Sequence, residues 1–178
     1  GSEEIISALF GYGSFDKTAV KNSALALYYF SFGLPAFAFI KVFSSFFFAN
    51  HDTKTPFYIS FISVLLNVFI SLYYFKTVGF IIIPIATSIS SWFNSIILFI
   101  YLKRKNLFYF NKNFIIKFFK ISFTSLLTIL FFNYLISKFE NLLVYDYDLK
   151  LFYLILFVLL AFLFYLLTSV FIKAFNYK

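Results

Sequence analysis

Residues 56–75 read PFYISFISVLLNVFISLYYF, twenty positions without a charged side chain. At about 1.5 Å of rise per residue, a helix of that length spans roughly 30 Å, the thickness of a bilayer's hydrocarbon core. Four further stretches are long and mostly apolar: 18–49, interrupted by Gly33, Leu34 and Pro35, then 79–102, 114–137 and 149–174. Their apolar residues do not alternate with polar ones, as the strands of a membrane barrel would. Helices are the other spanning option, because lipid offers the backbone no hydrogen-bond partner. The sequence therefore predicts an all-α, polytopic membrane bundle of five transmembrane helices, the first kinked at Pro35. Composition agrees. The chain is 62% hydrophobic and 12% charged, whereas soluble domains are roughly half apolar and about a quarter charged.

The breaks between these runs are polar. His51–Lys54 separates the first two, with Thr55 as the expected N-cap and Pro56 at the first helical position, where its missing N–H costs nothing. Residues 76–79 make a tight turn, and 103–113 and 138–148 form the longer connections. Counting cations by side places Lys17, Lys21, Lys76, Lys138 and Lys150 on one face. Lys41, Lys54, Lys103, Arg104, Lys105, Lys112, Lys117, Lys120, Lys173 and Lys178 lie on the other. The positive-inside rule puts the second face, and with it the C-terminus, in the cytoplasm. This distribution accounts for the net charge of +8 as membrane topology and not as a nucleic-acid footprint. The segment before the first run, with Ile5, Ile6, Leu9 and Phe10, reads as the tail of a preceding helix.

The chain has no cysteine and a single histidine, His51. It therefore offers no thiolate and no His/Cys cluster for a metal or haem, and no cofactor is expected. Neither a nucleophile–base pair nor a glycine-rich phosphate loop is present in the sequence, and the four apolar spans after the first carry no acidic residue. The 32 phenylalanines and 14 tyrosines read as a lipid-facing surface and not as a ligand site. The amides of Asn67, Asn94 and Asn133 fall inside apolar runs, where such groups usually hydrogen-bond between helices. Ser88, Ser90, Ser91 and Ser95 point to close helix packing for the same reason.

Two stretches carry a resemblance. LFGYGSFDKTA at 9–19 and GLPAFAFIKVFSSFFFANHDTKTP at 33–56 are similar to the MurJ (MviN) type lipid II flippases, whose pattern G-L…K-V…D-T-(K/R)-T-P is matched without a gap. VGFIIIPIATSISSWFNSIILFIYLKRK at 78–105 also resembles the family's small-residue helix with a basic end. The likeness covers about 5–106 and beyond that rests on helix number and basic flanks. It implies the C-terminal part of a fourteen-helix fold in a bacterial inner membrane. Residues 1–106 would supply the end of one helix plus three spans of the C-terminal lobe, and 107–178 the last two spans, forming a groove for a polyprenyl tail. The implied activity is flipping of a lipid-linked peptidoglycan precursor by alternating access, without chemistry on the substrate. The implied partners are that lipid-linked oligosaccharide pyrophosphate, membrane lipids and an N-terminal lobe carrying the family's essential arginines. An exporter of polysaccharide-lipids or drugs from the same superfamily, a membrane-embedded transferase and a non-catalytic membrane subunit are the alternatives.

Within that frame the candidate residues have two readings each. Lys21 and Lys41 bracket 19 residues, so Lys41 either snorkels to the cytoplasmic interface or faces a central cavity and attracts a diphosphate. Asp52, Lys54 and Thr55 either cap and anchor the next helix or form a cytoplasmic gate against the N-terminal lobe. Lys117 and Lys120 either anchor their helix or contact phosphate at the mouth of the groove.

Overall fold

The computed structural model describes residues 1–107, 109 and 112–174; Lys178 lies outside them. Among the described residues seven α-helices follow one another: α1 (Ser2–Phe10), α2 (Lys17–Ser31), α3 (Leu34–Ala49), α4 (Lys54–Val78), α5 (Ile82–Arg104), α6 (Lys112–Lys138) and α7 (Lys150–Phe171). Short 3₁₀ turns, Gly79–Ile81 and Glu140–Leu142, join α4 to α5 and follow α6. Among the described residues four stretches are long and apolar enough to cross a membrane: Lys17–Ala49, Lys54–Arg104, Lys112–Lys138 and Lys150–Phe171. The second contains both α4 and α5, and the turn between them sits at Gly79, whose φ of 75° is open to glycine at little cost.

The first run is two helices rather than one kinked rod. The chain turns at Phe32 and Gly33, and Pro35 enters the first turn of α3, where no amide donor is needed. Gly33 is required by proximity. A Cβ there would stand 2.9 Å from Ser88 Oγ and 3.2 Å from Ser88 Cα on α5. The start of α4 also differs from expectation. The helix begins at Lys54, and the capping oxygen comes from Asp52, which accepts the Thr55 amide at 3.0 Å. Thr55 is therefore inside the helix and not its cap. An Asp three residues upstream reaches that amide, so the helix can start two residues earlier, at Lys54 instead of Pro56.

The chain forms two compact units. One comprises residues 25–109, the other residues 1–24 and 110–178. In the first, α5 is the central helix, packing on both α3 and α4. The buried face of α5 is Ala86, Ser88, Ser90, Ser91, Asn94 and Ser95, then Leu98 and Leu102. Small side chains let backbones approach, and in lipid such dispersion contacts replace the hydrophobic drive that water would supply. Toward the α5 C-terminus the packing becomes bulky, with Phe47, Ile59, Leu98 and Leu102 in one cluster. In the second unit Ala8, Leu135, Ile136, Leu143, Leu154 and Phe157 form the core, and Phe131 stacks on Phe164 at 4.4 Å. Elsewhere the helices present large apolar side chains outward. Leu72 is 74% exposed and Leu167 71%, which only a surrounding of lipid or further helices makes stable.

Three helices close in the same way. After α3, α5 and α7 the residues His51, Asn106 and Lys173 adopt φ of 57°, 54° and 52°. In each case the next residue's amide reaches back over the turn: Asp52 to Phe47 O at 3.0 Å, Leu107 to Leu102 O at 3.1 Å and Ala174 to Ser169 O at 2.9 Å. This is the Schellman closure, here built without glycine.

Candidate functional site

Polar contacts gather in three places, two within the 25–109 unit. The first is the seam between α4 and α5. Asn67 Nδ2 donates to Thr87 Oγ1 at 3.1 Å and to Ser90 Oγ at 3.3 Å, and Asn67 Oδ1 accepts from Ser71 at 3.3 Å. Further along, Asn94 Nδ2 donates to Ser60 Oγ at 3.2 Å, while Asn94 Oδ1 is buried without a hydrogen-bond partner. An unmatched carbonyl of this kind costs about 1–3 kcal/mol. Asn133 lies elsewhere, exposed on α6. The serines of α5 do two jobs. Ser90 and Ser91 bond back to Thr87 O within the helix, and Ser88 Oγ donates to Tyr29 O at 2.7 Å. Beside it Trp92 Nε1 donates to Phe32 O at 2.9 Å. The carbonyls freed by the α2–α3 break thus receive donors from α5, as backbone groups facing lipid require.

The second place is the end of α3. Asp52 Oδ2 accepts from Lys105 Nζ at 2.5 Å and from Thr55 Oγ1 at 2.7 Å. Lys105 also stands 5.8 Å from the centre of the buried Phe47 ring. The Lys105 hydrogen bond first, and then the Thr55 amide and hydroxyl, hold the Asp52 carboxyl well below the usual carboxylate range. Lys54, grouped with Asp52 in the sequence, is exposed. Asp52 is instead tied to a lysine 53 positions away. Lys41 is exposed on α3.

The third place lies in the other unit, around the start of α7. Lys150 is 1% exposed, and its ammonium donates to Gly11 O at 2.6 Å and Tyr145 O at 2.5 Å. It sits 4.2 Å from the Tyr12 ring centre and 4.6 Å from that of Tyr145. Carbonyl dipoles and aromatic faces here offset the burial of a cation. Tyr145 Oη donates to Phe15 O at 2.8 Å, and Lys17 pairs with Asp146 at 2.8 Å. The sequence marked Lys150 only as a flanking cation. Its burial needs Tyr145 just before α7 together with Gly11 and Tyr12 from far along the chain, and no local signal announces the second pair. At the opposite end of the same helices Lys120 Nζ donates to Lys173 O at 3.2 Å, capping the C-terminus of α7, where a cation is favoured. Lys117, one turn away, is exposed. The two lysines thus differ in what they touch.

Helices clad in apolar side chains, joined by amides and hydroxyls along their seams and tied by lysines at their ends, define a polytopic helical membrane bundle. Residues 1–158 match the family model described as "Lipid II flippase MurJ", and the chain belongs to that family. The match runs through α6 and into α7, well past residue 106, where the residue-by-residue likeness ends. Curated relatives carry the name "Probable lipid II flippase MurJ". That of Rhizobium meliloti is 40% identical over 100 residues, covering 55% of this chain and 18% of the relative. That of Rickettsia prowazekii is 35% identical over 100 residues, 56% and 20%. That of Thermotoga maritima is 36% identical over 89 residues, 50% and 19%. The chain therefore spans about a fifth of the length of these relatives.

Proposed function

We propose that this chain is a C-terminal part of a flippase that carries a lipid-linked peptidoglycan precursor from the inner to the outer leaflet of a bacterial inner membrane. The observation that carries the reading is the family match over residues 1–158 of an all-helical, lipid-clad chain. The family's name denotes translocation, which breaks and forms no covalent bond. The exporter and transferase alternatives are not favoured.

In this reading the C-terminus is cytoplasmic, residues 1–106 contribute to the wall of a lobe, and 107–178 supply the groove for the lipid's tail. The outward apolar faces of α6 and α7 suit a prenyl chain: Ile129, Leu163 and Leu167 are all more than half exposed. Lys41 and Lys117, both exposed, are available to a pyrophosphate. Lys120, already bonded to the α7 terminus, contributes charge more than contact. Asp52, held by Lys105, acts as a fixed corner of the cytoplasmic side, with Lys54 and Thr55 beside it as the gate residues. Lys41→Ala in the full-length protein tests this. The unmodified protein is expected to restore growth to cells depleted of their own lipid II flippase, and the variant to restore it poorly. Failure of a properly inserted full-length protein would reject the flippase reading. Full rescue by Lys41→Ala would reject only the cavity role and leave Lys41 an interfacial anchor.

A further inference from the structure

Lys150 is a costly residue where it stands. It opens a helix whose next buried residues are Leu154 and Phe157, and an aliphatic side chain would be buried there without the desolvation an ammonium carries. What the ammonium gains is a second segment of chain. Gly11 O, which accepts from it at 2.6 Å, lies 139 positions away, and the Tyr12 ring follows directly. Both belong to the turn between α1 and α2. The same turn is gripped again by Tyr145, whose Oη donates to Phe15 O at 2.8 Å. Gly11 is required by this approach, since a Cβ there would stand 2.5 Å from Ser7 O and 3.1 Å from the Tyr145 ring. Past the turn, Lys17 pairs with Asp146 at 2.8 Å, an exposed contact that adds little. Every grip comes from one loop, residues 145–150, and both partners lie in the same compact unit.

We propose that the α1–α2 turn is a seat for the loop between α6 and α7, with Lys150 as its charged pin, so that the α6–α7 hairpin is held to the turn at this end instead of swinging free. A buried ammonium suits that task better than an apolar contact. Its acceptors, Gly11 O and Tyr145 O, are backbone atoms at fixed positions, one on each side of the seat. It therefore admits one register of the two segments, where an aliphatic side chain would tolerate several. The seat goes beyond the translocation reading and does not depend on it.

The test is amide hydrogen exchange of the full-length protein in nanodiscs, read at peptides covering the turn at 11–17, the loop at 143–150 and the α4–α5 seam. Lys150→Met is expected to speed exchange in the turn about tenfold, the size of a lost hydrogen bond to a charged group, and Tyr145→Phe about fivefold. Tyr12→Leu, on the other side of the seat, should speed exchange in the loop, because docking is reciprocal. The α4–α5 seam should exchange as in the parent throughout. Lys150→Met decides the matter where it inserts, and Tyr145→Phe together with Tyr12→Leu where it does not. Exchange in the facing segment left unaltered by the deciding variants overturns the proposal. So does an acceleration of equal size in the α4–α5 seam, which would mark a general loss of stability and not the release of a seat.

Discussion

Asn106 pays a steric cost that its neighbours recover. At φ 54° its Cβ crowds the backbone, yet the turn lets Leu107 N–H reach Leu102 O and returns Leu107 to the apolar cluster around Leu98 and Leu102. His51 and Lys173 do the same for α3 and α7. Asn106→Gly should therefore raise stability by about 1 kcal/mol, the penalty for an L-residue in this region, read as an upward shift of the melting temperature in detergent. A downward shift would mean that the Asn side chain holds something the backbone does not. These closures were not legible in the sequence, because the usual punctuation, a glycine after the helix, is absent from all three. The burial of Lys150 was not legible for a related reason. A lysine at the edge of an apolar run looks like an interfacial anchor, and only the assembled loops supply the two rings and two carbonyls that enclose it.

At the level of helices, the long apolar runs were readable because lipid makes hydropathy decisive, and each run became helix within a few residues of its expected bounds. The places that departed are those where a side chain from another element intervenes. The first run breaks fully at Gly33 because Ser88 and Trp92 of α5 satisfy the carbonyls that a continuous helix would have used. Asn67 and Asn94 occupy the α4–α5 seam, whereas Asn133 faces outward, a distinction that mid-run position alone does not carry. A double-mutant cycle of Asn67→Ala with Thr87→Val should give a coupling of about 0.6 kcal/mol, typical of interhelical hydrogen bonds in membranes. A coupling near zero would show the contact to be energetically idle. The Asp52–Lys105 link binds the end of α3 to the end of α5 and sets a pH dependence. Because Asp52 is held below its ordinary range, its contribution is complete at neutral pH. It begins to fade only below about pH 4, where the unfolded carboxyl takes up a proton. Asp52→Asn should therefore be less stable than the parent at pH 7, with the gap narrowing as acid is added beyond that point. A gap constant down to pH 2 would remove the ion pair from the account.

For the whole molecule, the charge distribution makes a claim about sidedness that cysteine labelling in an otherwise cysteine-free full-length protein tests. Single cysteines at Lys54 and Lys103 in the full-length protein are expected to react with a membrane-impermeant maleimide only after the cytoplasmic side is opened. Those at Thr77 and Asn141 should react in intact cells. Labelling at positions 54 and 103 from opposite sides would overturn the sidedness that the cation count predicts. The partition of the chain, with residues 1–24 sharing a compact unit with 110–178, was beyond sequence reasoning, which divides a chain in order. Finally, Trp92 is the chain's single tryptophan, and its indole N–H ends on the carbonyl of Phe32 at the helix break. Within these 178 residues its emission colour and quenching are thus a native optical gauge of that junction, able to report any opening between α2, α3 and α5 without an added dye.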